Sequence, residues 1–302
     1  MKIAITGATG FLGRALVQHL TERGHECRGL IRPDRPRAAT RPAIEWVVGS
    51  LGEVGAVRSL VDRVDAVIHA AHDSQGGSFQ DPQADVAGLV DHNLLATIRL
   101  IEAAKTAGVQ RLVVISSGAV HDDILDDRPL DETHPLWPRS HYGATKAAIE
   151  AFVHSYGRGE RFPITALRPT AIYGRAEPIA ASRWYNLIAA LIRREDVVCR
   201  KGGKQVHVRD VARAVELLLT AEGVSGEVYH CTDLFVPERR VAELARSIVG
   251  TTSAIEGDVP AARHLIDCRK LKGLGMRFGG EALLEATVAE LVHAISSSDV
   301  MN

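Results

Sequence analysis

Cysteine is scarce and scattered in this chain of 302 residues: the four are Cys27, Cys199, Cys231 and Cys268, and no two of them form a C-x-x-C pair. That spacing excludes a disulfide framework and a thiolate zinc site, and it suits reduced thiols in a cytoplasm. No sign of charge prevails either. The formal net charge is −1, so no global field gathers nucleic acid or anionic lipid. Long apolar runs and internal repeats are missing too. The opening MKIAITGATG reaches glycine after a few apolar residues, too few for a signal peptide or a membrane span. These absences predict a cytoplasmic protein with no nucleic-acid partner, no membrane partner and no metal site.

What is present is ordinary for a globular enzyme: 46% hydrophobic and 24% charged residues, in a length that holds one large domain with or without a smaller lobe. Short apolar runs at 2–6, 26–31, 44–49, 65–71, 111–117 and 164–169 read as strands. Amphipathic stretches at 11–24 and 91–108, and one starting near Tyr142, read as helices between them. Strands alternating with helices imply right-handed crossovers and an α/β fold whose parallel sheet is covered on both faces. Burial on both faces explains why RLVVIS is nearly continuous in apolar character. Beyond Arg168 the alternation loosens, although 206–223 still reads as a short strand followed by a core-packing helix.

The stretch TGATGFLG (6–13) follows the first strand and opens the first helix, with glycines at 7, 10 and 13. Gly7 permits a tight turn, Gly10 lets backbone approach a pyrophosphate, and Gly13 lets helix and strand pack closely. The helix N-terminus offers free N–H groups and a partial positive charge to phosphates. Gly7, Thr9, Gly10, Phe11, Leu12 and Gly13 are therefore candidate dinucleotide contacts. At the end of the second strand, where an acidic residue would select NAD, stand Ile31 and Arg32, with Arg35 and Arg37 close by. Guanidinium suits a 2′-phosphate, so the reading leans to NADP over NAD, while Asp34 is placed to serve a ribose.

In SHYGATKAAIE (140–150) a phenol and an ammonium stand four residues apart, on one face of a helix. The pair alone reads equally as a surface accident. With TGATGFLG, DAVIHAA, NLLATIRLIEAAKTAGVQRLVVISSGAV, YGATK, LRPTAIYG and VHVRDVARAV in order, however, the chain resembles the extended short-chain dehydrogenase/reductase family, in its NAD-dependent epimerase/dehydratase branch, over about residues 1–235.

The resemblance implies a Rossmann-type doubly wound domain over 1–169 plus 201–225 and a small C-terminal substrate lobe over 170–200 plus 226–302. It implies that Ser117 hydrogen-bonds the reacting oxygen, that Tyr142 is the acid/base, and that Lys146 holds the nicotinamide ribose and lowers the tyrosine pKa. Ala70, Ala71, Asn93, Tyr142 and Lys146 join the candidate cofactor contacts, Asn93 with a more structural role. A free phenol is a poor base at neutral pH. A nearby ammonium and a positive nicotinamide would move it toward the operating range. Ser116 competes with Ser117, because adjacent strand residues face opposite ways.

Departures from the family pattern narrow the reaction. Gly118 and Ala119 replace the Asp-Glu pair of sugar 4,6-dehydratases. Ala171 replaces an asparagine, and Gly203 an arginine, that contact substrate diphosphate in nucleotide-sugar enzymes, although Lys201 and Lys204 stand beside Gly203. The expected activity is hydride transfer between NAD(P) and a small hydroxylated or carbonyl substrate, such as a sugar or sugar acid. The alternatives are a nucleotide-sugar epimerase with retained NAD and a nucleotide-binding protein without catalysis. His69 reads as core and His121 more as packed than functional. Trp184 and Tyr185 read equally as pocket wall or core. The polar loop 72–85 borders the expected crevice. Alanine-rich helices starting near Asp91 and Tyr142 would permit a homodimer.

Overall fold

A computed structural model describes residues 1–34, 44–73, 85–259 and 261–299. The chain forms two compact units, one of residues 1–169, 211–231 and 266–276, the other of 170–210, 232–265 and 277–302.

In the first unit, strands β1 (Lys2–Thr6), β2 (Glu26–Ile31), β3 (Glu45–Val48), β4 (Ala66–His69), β5 (Arg111–Ile115) and β6 (Ile164–Pro169) alternate with helices. The helices are α1 (Phe11–Glu22), α2 (Val54–Val61), α3 (Val86–Leu89), α4 (Ala96–Thr106) and α5 (His141–His154). A π-helical turn, Val90–Leu95, joins α3 to α4, so this helix begins earlier than the apolar periodicity from Asp91 predicts. The second unit contributes β7 (Ala171–Tyr173), α6 (Tyr185–Ile192), β8 (Val197–Val198) and β9 (Gly202–His207). Helix α7 (Val208–Thr220) then leads to β10 (Val228–Cys231) of the first unit.

The seven strands of the first unit run in the order β10-β6-β5-β4-β1-β2-β3, all parallel. Every residue of β4 and β6 is buried, as is nearly all of β5, because helices cover both faces. One face packs Val57 and Leu60 of α2, Leu100 and Ile101 of α4, and Ile149 and Val153 of α5 against Ala4, Val67, Val114 and Ala166. Among the other helices, α1 and α7 are tied by His19 and Arg23 to Glu216, at 2.7 and 3.0 Å. The order reverses at β1, whose neighbours are β2 and β4. This is the switch point, and the carboxyl ends of β1 and β4 open there.

The second unit holds a three-stranded sheet, β11-β9-β7, in which β11 is Leu234–Pro237. It also holds α8 (Glu238–Val249), β12 (Ile255–Glu256), which pairs with β8, and α10 (Gly280–Asp299). Its core gathers Tyr173, Ile188, Leu191, Val236, Val241, Leu284 and Leu291. Asp210 and Asp233 accept from the N–H groups of Gly279 and Gly280 at 2.9 and 2.8 Å and so anchor the start of α10.

The two units divide the chain differently from the sequence partition. Segment 228–231 pairs with β6 as the seventh strand, and helix α9 (Arg269–Gly273) packs against it. Segment 202–207 is drawn instead into the sheet of the second unit through β7 and β11.

Candidate functional site

The loop after β1 is closed by contacts that only glycine allows. Gly7 has φ +72°, and a Cβ there would stand 2.8 Å from the backbone of Ala70 and Ala71. A Cβ on Gly13 would stand 2.0 Å from the carbonyl oxygen of Gly7. Helix α1 is thereby pressed onto the end of β1. At Gly10, by contrast, a Cβ would meet only the Gly7 oxygen at 3.3 Å, so the space beyond it is open. Gly10 is the N-cap of α1 and no side chain among the described residues caps the helix, which leaves the N–H groups of Phe11, Leu12 and Gly13 at a positively polarised end. Thr9 turns its carbonyl to Arg14 Nε at 3.0 Å. A cradle without Cβ atoms, rimmed by backbone donors, fits the pyrophosphate of a dinucleotide.

Beside this loop runs an ordered chain of hydrogen bonds. Ala71 N donates to Thr6 Oγ1 at 3.2 Å, and Thr6 Oγ1 meets His69 Nδ1 at 2.8 Å. His69 Nε2 meets Thr97 Oγ1 at 2.8 Å, and Thr97 donates to the Asn93 carbonyl at 2.5 Å. Because Thr97 spends its proton on that carbonyl, it accepts from His69, and His69 in turn accepts from Thr6. Burial holds the imidazole neutral, with a pKa lowered to about 3. His69 is a core residue that fixes the end of β4. Asn93 is equally engaged: its amide donates to the carbonyls of Asp73 and Leu89 at 3.0 Å, and it accepts from Asp73 N at 2.8 Å. It pins the chain that leaves β4.

Arg32, one residue past β2, is half-exposed between two carboxylates, Asp34 at 3.9 Å and Asp73 at 3.6 Å. Arg35, Arg37 and positions 74–84 of the polar loop lie outside the described residues.

The opening residues of α5 face the end of β5. Ser140 caps the helix by accepting from Gly143 N at 3.1 Å. A Cβ on Gly143 would stand 2.2 Å from the Ala119 carbonyl, so its absence lets the helix rest on the turn Gly118–Val120. Tyr142 is thus brought to Ser117, whose hydroxyl acts on the phenol. Ser117 also accepts from Ala119 N at 3.1 Å. Lys146 is buried, donates to the Ile115 carbonyl at 2.9 Å, and lies 5.9 Å from the Tyr142 ring centre. His72 stands edge-on to the same ring at 4.9 Å.

Burial pulls the Lys146 ammonium down to about 8, with the Glu150 carboxylate opposing. Burial also pushes the Tyr142 phenol above its usual value, with the Ser117 hydroxyl pulling the other way. In the polypeptide itself, therefore, the phenol is raised by desolvation, contrary to the lowering by Lys146 that the resemblance implies, and Ser117 is what opposes the rise.

Ser116 faces away from this cluster and donates to Glu150. Glu150 is paired bidentately with Arg168, at 2.8 and 2.6 Å, and both side chains are buried. The remaining Arg168 nitrogen reaches His121 Nε2 at 3.2 Å and His230 Nε2 at 3.1 Å. His121 is thus a packed member of a buried network that sequence reasoning did not assemble. The visible signal was Glu150, one further turn along from Tyr142 and Lys146. In the second unit, Trp184 and Tyr185 pack against its core, Trp184 with a left-handed backbone at φ +67°. Lys204, beside Gly203 on β9, has its ammonium lowered by burial.

A doubly wound parallel sheet with a glycine cradle at its switch point, and a Ser-Tyr-Lys cluster on the neighbouring strand and helix, defines the extended short-chain dehydrogenase class. The chain belongs to the NAD dependent epimerase/dehydratase family, whose model matches residues 3–231. It is 31% identical over 243 residues to the 4-hydroxy-2-methyl-3-oxo-4-farnesyl-3,4-dihydroquinoline-1-oxide ketoreductase of Stigmatella aurantiaca, covering 77% of this chain and 68% of that enzyme. It is 32% identical over 183 residues to a 3-beta-hydroxysteroid dehydrogenase of Mycolicibacterium neoaurum, covering 58% of this chain and about half (49%) of the relative. In fold it matches the UDP-glucose 4-epimerase of Thermotoga maritima solved with UDP-glucose, with a TM-score of 0.82, 21% identity and 99% of each chain covered.

Proposed function

We propose that this chain is an NAD(P)-dependent oxidoreductase that interconverts a hydroxyl and a carbonyl on a small substrate. The observation that carries the reading is the convergence of Ser117, Tyr142 and buried Lys146 in the unit that also holds the glycine cradle. Ser117 orients the reacting oxygen. Tyr142 takes the hydroxyl proton in oxidation and returns it in reduction, and Lys146 provides the positive charge beneath it. The bound nicotinamide supplies the hydride acceptor or donor. Gly7, Gly10, Gly13 and the first turn of α1 hold the pyrophosphate. Relatives that carry out ketone and hydroxysteroid chemistry, at 31% and 32% identity, support a dehydrogenase/reductase over an epimerase. Ala171 and Gly203 point the same way, since neither offers a side-chain donor to a diphosphate.

A second reading, a nucleotide-sugar epimerase with retained NAD, draws on Lys204. Its partly buried ammonium next to Gly203 is a substitute for the missing arginine. The nucleotide carried by freshly purified protein, identified by mass spectrometry, separates the two. An exchangeable site with absorbance change at 340 nm across hydroxysteroid, sugar and ketone substrates supports the reductase; retained NAD with no net absorbance change supports the epimerase. Failure of NADH, NADPH and NAD at millimolar concentration to raise the Tm of nucleotide-free protein would defeat either.

For the cofactor we favour NADP, with Arg32 leaving Asp34 and Asp73 for the 2′-phosphate. Titration of both nucleotides against Arg32→Ala tests this, since an unchanged preference removes Arg32 from the account. The four buried free cysteines support a cytoplasmic location. Exposed Leu95 and Phe152, on the π-helical turn before α4 and on α5, support a homodimer, to be checked by light scattering.

A further inference from the structure

Three successive residues at the end of β5 each meet one of three α5 residues spaced a turn apart. The Ser117 hydroxyl acts on Tyr142, Lys146 donates to the Ile115 carbonyl, and Glu150 accepts from the Ser116 hydroxyl. A spacing of four puts all three on one helix face. We propose that Glu150 is a positioning residue of the Tyr142–Lys146 pair: its buried carboxylate fixes the strand end that presents Ser117 and sets a negative charge one helical turn from the Lys146 ammonium. The inference rests on the acid/base reading of Tyr142 and Lys146 given above.

Glu150 has no exposed surface and Arg168 has 2%. Charges so deep persist only when paired and fully hydrogen-bonded. The pairing with Arg168 meets that need through both carboxylate oxygens. A third partner, Ser116, and a place one turn from a buried ammonium are more than such a pair requires.

The groups around Lys146 leave few alternatives. From β4 and the segment after it come His69 and His72, held neutral by burial at about 3 and about 4. From β5 comes the Ile115 carbonyl, and from α5 the neutral Tyr142 ring. Arg168, from β6, directs its charge to Glu150 and its last nitrogen to His121 and His230, the latter neutral at about 2. Among the described residues, Glu150 is the carboxylate that opposes the desolvation of Lys146.

The test is the affinity for NADPH and NADH, measured by calorimetry from pH 6 to 9.5, which needs no substrate. Wild-type affinity should fall as Lys146 loses its proton, and Lys146→Ala should flatten that dependence. Glu150→Gln should move the midpoint acidward by about one pH unit or more. Should Glu150→Gln strand Arg168 and fail to fold, Glu150→Gln/Arg168→Gln removes both charges and should move the midpoint the same way. Glu150→Asp keeps the charge and should keep the wild-type midpoint. A midpoint unmoved in the Gln variants while Lys146→Ala flattens the curve, or one displaced by Glu150→Asp, overturns the role of Glu150 alone. A wild-type curve in Lys146→Ala overturns the reading of Lys146 itself.

Discussion

At Tyr142 burial and hydrogen bonding oppose each other, and burial prevails: the phenol is raised although Ser117 pulls it down. In the proposed mechanism proton transfer needs positive charge near the ring, and Lys146, 5.9 Å from its centre, is the residue assigned to supply it. Tyr142→Phe keeps the ring that meets His72 and removes the transferable proton. Turnover should fall by about 10²–10⁴-fold with nucleotide affinity unchanged. Steady-state kinetics beside calorimetry checks both halves, and normal turnover defeats the mechanism. The spacing of Tyr142 and Lys146, and the period-two choice between Ser116 and Ser117, were legible in sequence because both are local rules. The histidine partners of Arg168 were not. They lie 47 and 62 residues away, and only the folded sheet brings His121 and His230 to one guanidinium.

At the scale of elements, the site depends on how closely two helices approach strand ends. Gly143→Ala would place a methyl 2.2 Å from the Ala119 carbonyl, a backbone atom that cannot swing aside. The helix must then lift from the turn, costing about 1–3 kcal/mol as overpacking and lengthening the Tyr142–Ser117 contact. Urea denaturation should show the loss, and turnover should fall beyond what stability explains. Gly55→Ala on α2, where a Cβ meets nothing within 4 Å, is the control and should be neutral or stabilising by about 0.4–1 kcal/mol. Equal effects from the two substitutions would show that close approach is not what Gly143 provides. The six strands to Pro169 were readable because continuous apolar runs mark doubly covered strands. Segment 228–231 was not, since VYHC is short and its buried histidine is explained by Arg168 and His121, both distant in sequence. The π-helical turn was hidden likewise, as periodicity alone does not register one extra residue per turn.

Across the whole molecule, neutral buried imidazoles link stability to pH. In the folded chain His69 titrates at about 3, His72 at about 4 and His230 at about 2, each chiefly through burial. Unfolded, each returns to about 6.5. Above that value neither state is protonated and the full stability is present. As pH falls below it, the unfolded chain takes up protons that the native chain refuses, so stability declines. His69 and His230, with 2% and 0% exposure, should each remove about 1.4 kcal/mol per pH unit once well inside this window. His72, only partly buried, acts in the same direction. Glu216, Glu227 and Asp267, held below their ordinary values, lose their contribution only near and under pH 4.5, outside the window. Glu132, raised by burial beside the His230 N–H, works against the trend at the acid end. Urea midpoints should therefore change little from pH 7.5 to 7, below the range in which Lys146 titrates, and fall steeply from 6.5 to 5, above the range of the lowered carboxylates. His230→Gln, which replaces a titrating ring with a neutral amide able to accept from Arg168, should be less stable at pH 7.5 yet show a shallower decline. Stability that is constant between pH 7 and 5, or a decline as steep in His230→Gln as in wild type, would show that these imidazoles are not what makes the fold acid-sensitive.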